Sequence, residues 1–367
     1  MQTTAKPKGL AKIWREMTRP FGQLLARILQ TDMGVYAIQM ALSNPDFVEK
    51  ILDSKSTCHW FPDNQKTWDD FFRNKPHELR DLESRLVVTM DPLSREVVAR
   101  SIARRRFCME YGDNSVWNFL QQCVWRSLYP LDYEEQERIK AIGKAYKCPY
   151  KLPHDCTEHM ATGFSMNQFP PEIQKRVTGK DVIDGGGFSG DSAMVLSEYG
   201  PKRVHTFEPN PDSVSGMKRV IMENKTVLGD RKDKINIVPL ALGRAKGTST
   251  LHSSSNEFDG GGTILPIGHG KRTFQVGVIS IDEFAQQHDL DVGLIKLDVE
   301  GVEYDTILGA KETITKQKPL LIISIYHTFK DFFEIKPLIE SWGMGYQFEI
   351  RQHLPSVPDG EIILMAY

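Results

Sequence analysis

From about residue 180 onward the hydrophobic pattern becomes short and strand-like. Apolar runs stand at 181–184, 203–207, 235–240, 294–297, 320–325, 346–351 and 361–366, each the length of a buried strand. Between them lie stretches with apolar residues at helical spacing, at 191–199, 211–224, 281–288 and 302–314. Ser280-Ile-Asp-Glu283 gives the third of these a capping box. Strands alternating with helices predict βαβ units and a mostly parallel sheet. The last two strands leave no room for a helix between them, so they should pair antiparallel. Extra length at 243–275, with Ser253-Ser254-Ser255 and Gly260-Gly261-Gly262, reads as a hairpin and a loop.

The chain before residue 147 reads as mainly helical. Leu10, Ile13, Trp14, Met17, Leu24, Leu25 and Ile28 recur at helical spacing, broken at Pro20. Further helices are predicted at 94–107, 115–128 and 131–146, the last with Asp132 as N-cap. Prolines at 149, 153, 170 and 171 make 147–178 a connector. The division is therefore a helical region over 1–146, a connector over 147–180 and an α/β domain over 181–367. A length of 367 residues fits about two domains.

Charge and cysteine content narrow the partners. Lys+Arg 46 against Asp+Glu 48 leaves a net charge of −2, which argues against a nucleic-acid-coating protein. No run approaches the roughly 20 apolar residues of a membrane span. Residues 1–30 carry six basic side chains and one acid beside Trp14 and Phe21. Peripheral contact with an anionic membrane is one reading, and packing against the helical region is the preferred one. Five cysteines, none in a Cys-x-x-Cys, and no apolar signal core at the N-terminus point to a reducing cytoplasm.

The strongest local signal is Asp184-Gly-Gly-Gly-Phe-Ser-Gly190-Asp191, in which Gly185, Gly187 and Gly190 fit G-x-G-x-x-G between a strand and a helix. A plain tight turn is the alternative. Glu208 follows 18 residues after Gly190, at the end of the second strand, where a carboxylate can accept both hydroxyls of an adenosine ribose. That suits NAD and S-adenosylmethionine alike. Asp184 beside the glycines would repel a pyrophosphate and tolerate a sulfonium. With the antiparallel final pair, this favours S-adenosylmethionine.

Residues 181–367 resemble the FkbM-type methyltransferases, a branch of the Rossmann-like S-adenosylmethionine-dependent enzymes. The matching pieces, in the family's order, are the glycine turn, Phe207-Glu208-Pro209, Ala241-Leu242-Gly243, Ser280-Ile281-Asp282, Lys296-Leu-Asp298-Val-Glu300-Gly-Val-Glu303, Ser324-Ile-Tyr326-His327 with Asp331, and Arg351-Gln352-His353. Gly187 stands where the family often has Ala, and Gln352 where it commonly has His. The resemblance implies a Rossmann-like class I methyltransferase fold, a mostly parallel sheet with an antiparallel last strand. It implies S-adenosylmethionine held by Asp184, Gly185, Gly186, Gly187, Gly190, Asp191, Glu208, Pro209, Ala241 and Leu242. It further implies O-methylation of a hydroxyl on a small-molecule or glycan acceptor, a sugar or other secondary metabolite.

Lys296, Asp298 and Glu300 share one strand face near the carboxyl edge of the sheet, where ligands bind in open α/β folds. They are expected to position substrate, or Asp298 and Glu300 to ligate a divalent cation. Acids matching a helix dipole are the alternative, which Glu303 fits equally. His327 is expected to be the general base, with Asp298 and Lys296 completing the catalytic set. Glu300, Arg351 and His353 are expected to contact the acceptor, and Tyr326 to pack away from it. Two clusters are set aside: Cys148, His154, Cys156 and His159 match no justified zinc spacing. Arg100, Arg104, Arg105 and Arg106 read as a solvated helix face. Two rival functions stand beside the methyltransferase. A nicotinamide-dependent oxidoreductase would need a proton donor such as Tyr-x-x-x-Lys, and none follows the third strand. A non-catalytic binding domain sits poorly with intact glycines and Glu208.

Overall fold

The computed structural model describes residues 62–111, 128–154, 156–253, 262–265, 272–353 and 360–367. The helix expected at 115–128, all but its last residue, and the basic segment 1–30 lie outside the described residues.

Among the described residues four longer helices precede the sheet: α1 (Pro62–Asn74), α2 (Pro76–Val87), α3 (Pro92–Tyr111) and α4 (Pro130–Ala145). Each begins on a proline, whose fixed φ and missing N–H suit a first helical turn. The strands are β1 (Asp181–Gly185), β2 (Arg203–Phe207), β3 (Ile235–Val238), β4 (Ala241–Leu242), β5 (Gly247–Ser253), β6 (Arg272–Ile279), β7 (Val292–Leu297), β8 (Leu320–Ser324), β9 (Phe348–Gln352) and β10 (Ile362–Ala366). The longer helices among them are α5 (Asp191–Leu196), α6 (Pro211–Glu223), α7 (Ile281–His288), α8 (Glu303–Leu308), α9 (Lys311–Gln317) and α10 (Phe329–Ser341). Local chemistry sets several starts: Asn210, Ser280 and Thr328 each accept a backbone N–H of the first turn of α6, α7 and α10.

Seven strands form the main sheet in the order β3-β2-β1-β7-β8-β10-β9. All neighbours run parallel except β10, which is antiparallel to both β8 and β9. This is the mostly parallel Rossmann-like sheet with an antiparallel strand near its end that the sequence predicts. The extra length after β4 forms a second sheet, β4-β6-β5, in which β5 and β6 are an antiparallel hairpin. Among the described residues no helix is long and apolar enough to cross a membrane.

Side chains on both faces of the central strands are buried, as a covered parallel sheet requires. Ile183, Ile295, Leu297, Leu321, Ile323 and Leu364 face one core; Val182, Leu294, Leu320, Ile322, Ile363 and Met365 face the other. The first core continues without a break into Trp68, Phe72, Leu79, Leu86, Met90, Val97 and Val98 of the early helices. Trp68 packs edge-on against Phe329 and Phe332 of α10 at centroid distances of 4.9 and 5.6 Å. The helical region and the sheet thus bury one shared apolar surface.

Two expectations fail here. Asp132 is not a cap, because α4 starts at Pro130 with Tyr129 before it. The arginines of α3 are not a solvated face, since Arg100 and Arg104 are 0% and 1% exposed. Arg100 ion-pairs with Asp132 and donates to Oε1 of Gln352 at 2.5 Å, tying α3 and α4 to the end of β9. The helical pattern was legible, but the partners lie far away in sequence. Replacing Arg100 with Met strands Asp132 as a buried charge and should cost about 3–5 kcal/mol in urea unfolding. Adding Asp132→Leu should recover most of that loss; a single variant as stable as wild type would mean the pair holds nothing.

Candidate active site

The loops at the carboxyl ends of β1, β2, β7 and β8 surround a cavity of about 450 Å³. The turn after β1 forms its first wall. Gly186 and Gly187 each donate a backbone N–H to the carbonyl of Phe207, at 3.1 and 2.9 Å, which docks the turn on β2. Gly186 has φ +81, and a Cβ there would lie 1.8 Å from the carbonyl oxygen of Asp298. A Cβ on Gly187 would lie 2.3 Å from Thr206 Oγ1 and 2.7 Å from Met217 Cε. These glycines therefore let two strand ends and α6 approach each other. Only Gly186 of the four expected glycines lines the cavity.

Glu208 lines the cavity at the end of β2. Oε2 accepts the N–H of Phe188 at 3.0 Å and Oε1 that of Asn210 at 2.8 Å, so each oxygen keeps acceptor capacity. Burial pushes its carboxyl up to about 7 despite those two donors. Pro209, Ala241, Leu242 and Asp191 line the same cavity. His154 closes over this end, 3.4 Å from an Asp191 oxygen and tilted against Phe188 at a centroid distance of 4.8 Å.

Asp184 lies beneath the wall rather than on it. It is fully buried, accepts from Ser192 and Thr206 at 2.9 and 2.8 Å, and sits 3.4 Å from Lys296 Nζ. Burial raises its pKa, with Lys296 opposing. Lys296 reaches the cavity, but its ammonium also donates to the carbonyls of Gly185 and Gly186 at 3.3 and 3.1 Å. Burial works against that charge, and Asp184, Asp298 and Asp191 outweigh it, leaving the group above its usual range. The geometry suits Lys296 to stiffening the glycine turn more than to proton transfer.

Asp298 and Glu300 line the far end. Asp298 stays below the usual carboxylate range: burial opposes this, and Lys296 and His327 prevail. Glu300, with φ +58, is pushed up to about 8 by burial and by Asp298, Glu303 and Glu361. His327 stands behind both acids and does not line the cavity. It is 0% exposed, its Nδ1 is 2.8 Å from Glu303 Oε1, and its Nε2 is 3.6 Å from Asp298 and from Glu300. Burial opposes its charge, but Glu303 and Glu300 hold its pKa well above the ordinary histidine value. His327 thus stands behind the wall that Asp298 and Glu300 form, rather than in it.

Arg351 also lies elsewhere. It pairs with Asp91 at 3.2 Å and Glu349 at 2.8 Å, on the side of β9 packed by α3. The period-2 argument put Arg351 and His353 on one face, but β9 ends at Gln352, and His353 turns into the cavity. There its Nδ1 is 2.8 Å from Ser165 Oγ, and burial together with nearby His159 and Arg351 lowers its pKa to about 3. Tyr326 was expected to face away; β8 ends at Ser324, and the ring instead lines the cavity. Its hydroxyl donates to Asp298 at 3.4 Å and Glu361 at 3.3 Å.

The sequence reading missed Glu361 and set aside His159. These two pair at 2.9 Å in the cavity wall, with His159 pushed up to about 9: burial opposes, and Glu361 outweighs it. His159 belongs to the Cys-His cluster that spacing alone could not interpret. Two groups bring metal-type donor atoms within 4.8 Å of one another: His154, Cys156 and Asp191, and Asp298, Glu300 and His327.

Residues 186–354 match the methyltransferase FkbM domain. Over this stretch the chain is similar to the FkbM methyltransferases. Over 200 residues the chain is 26% identical to the 2-O-methyltransferase NoeI of Sinorhizobium fredii, covering 50% of this chain and 78% of that protein. A crystal structure of methyltransferase FkbM from Methylobacillus flagellatus KT overlays 72% of this chain and 70% of its own, with 19% identity and a TM-score of 0.41. An O-methyltransferase from Bacillus cereus, solved with SAH, overlays 69% of this chain and 98% of its own, with 12% identity and a TM-score of 0.32.

The FkbM glycine turn has no room for larger residues. Gly186→Ala should destabilise the fold by about 1–3 kcal/mol or more, since the new methyl meets backbone at positive φ. A thermal melt unchanged from wild type would show that the turn is looser than its contacts indicate.

Proposed function

We propose that the FkbM domain transfers the methyl group of S-adenosylmethionine to a hydroxyl of a sugar or similar polyhydroxyl acceptor. One observation carries this reading. A ribose-type carboxylate with unused acceptor capacity, Glu208, and a cluster of carboxylates at the end of β7 and the start of β10 face the same cavity. The 2-O-methyltransferase relative supports oxygen as the acceptor atom, and the FkbM match supports the cofactor. Bound S-adenosylmethionine supplies an electrophilic methyl on a sulfonium.

The chain's own residues do the rest. Glu208 accepts from the ribose hydroxyls, and the turn carrying Gly186 lets backbone approach closely. Asp191 and His154 line the same cavity beside the turn, where the cofactor's amino acid tail fits. The acceptor hydroxyl lies among Asp298, Glu300 and Glu361. There it would be held for attack on the sulfonium methyl, sulfur would leave with the bonding pair, and a carboxylate in the wall would take the hydroxyl proton. Holding acceptor and methyl in line supplies much of the rate.

Glu208→Ala should weaken S-adenosylmethionine binding by about 2–3 kcal/mol in calorimetry while the chain stays folded. Unchanged affinity would remove the ribose assignment. In the wild type, affinity should decline as pH drops below about 7, because protonated Glu208 loses the acceptor that the ribose needs. A flat profile between about pH 6 and 8 would contradict it. Asp298→Asn should leave cofactor affinity nearly intact and cut turnover by roughly 10²-fold or more, read with labelled S-adenosylmethionine and a cell extract.

A further inference from the structure

The acids at the far end of the cavity are arranged around one point. Asp298, Glu300 and His327 each aim a donor atom there, from the ends of β7 and β8, and these atoms lie within 4.8 Å of one another. Two other features single out this cluster. Glu300 Oε2 is buried and has no hydrogen-bond donor among the described residues. Glu303 occupies the opposite nitrogen of the imidazole at 2.8 Å and is itself fixed, taking the N–H of Val299 at 2.8 Å and of Gly301 at 2.9 Å. A carboxylate behind a histidine is the arrangement that turns the other ring nitrogen towards a metal and sharpens its basicity.

The charge asks for the same occupant. Asp298, Glu300 and Glu303 converge on one imidazole, and the nearest ammonium, Lys296, already faces Asp184. Mutual repulsion of carboxylates in a buried site is relieved by a cation.

We propose that Asp298, Glu300 and His327 bind a divalent cation of the Mn²⁺ or Mg²⁺ class, with its open positions facing the acceptor. Two carboxylates and one imidazole are a hard donor set that leaves about three of six octahedral positions free. Asp298 and Glu300 line the cavity and His327 closes the back, so those free positions point at the space where the acceptor hydroxyl lies. Glu361 is then the wall carboxylate left to receive the acceptor's proton. The inference rests on the methyl-transfer reading for its purpose, but the cation site stands or falls by itself.

The test uses the full chain, stripped with EDTA and titrated with MnCl₂, with free Mn²⁺ read by electron paramagnetic resonance. One Mn²⁺ per chain is expected. Asp298→Asn and Glu300→Gln should each weaken it at least about tenfold, and Glu303→Gln, acting through His327, by roughly 10–100-fold. Glu361→Gln, in the same wall but outside the donor set, should keep the wild-type affinity. S-adenosylmethionine binding, measured on every variant, shows that each is folded. A wild-type chain that takes up no Mn²⁺, or loses none of it on Asp298→Asn and Glu300→Gln, overturns the proposal. If such a chain still binds S-adenosylmethionine, only the cation is refuted; a chain that binds Mn²⁺ and not S-adenosylmethionine refutes the methyl-transfer reading instead.

Discussion

The acceptor end of the cavity depends on one buried carboxylate. Glu303 is 0% exposed, opens α8, and spans the loop after β7 and the loop after β8. Its two oxygens take the N–H groups of Val299 and Gly301 and the imidazole of His327. Each contact engages a charge, which makes it worth more than a neutral hydrogen bond and makes the unpaired state costly. Asp298 and Glu300 ride on the loop so fixed. The second such anchor is the Asp184–Lys296 contact, which locks the β1 turn to β7 from below. The surface of the site is thus set by two charge pairs that lie behind it.

The fold was legible in the sequence wherever its cause was local. Alternation of strand and helix, the capping box at Ser280 and the short β9–β10 connection give the sheet without knowledge of contacts. What was not legible is how the early helices attach. Arg100 finds Gln352, and Ser94 caps the N–H of Ile350, across more than 250 residues of sequence. No window of pattern holds both partners. Four basic residues in seven look solvated until the distant carboxylate and amide are known.

The site divides along the same line. Glu208 and the glycine turn were found because the motif and its strand–helix context are contiguous. The turn's real constraint was not found, because Thr206 and Met217 belong to other elements. Beyond strand ends the period-2 rule lapses, and side chains there turn to faces that alternation does not predict. Tyr326 enters the cavity, His327 goes behind it, and His353 enters while Arg351 stays with Asp91. Glu361 carried no sequence signal at all; only the pairing of β10 beside β8 brings it opposite Tyr326.

That pairing has a consequence for how the molecule is made. β10 lies between β8 and β9, so the sheet has a gap in its interior until residues 362–366 arrive. A ribosome delivers the chain from the other end. During synthesis β1, β2, β3, β7 and β8 can assemble, but β8 keeps a bare apolar edge, and β9, with α3 behind it, has no neighbour to join. Such an exposed strand edge is a site for mispairing. The nascent protein therefore passes through a half-closed stage that lasts until residues 362–366 are made. A helper that shields strand edges would matter most in that interval, and a stalled ribosome near residue 360 would leave the β1 and β2 side of the cavity built and the β8 side open.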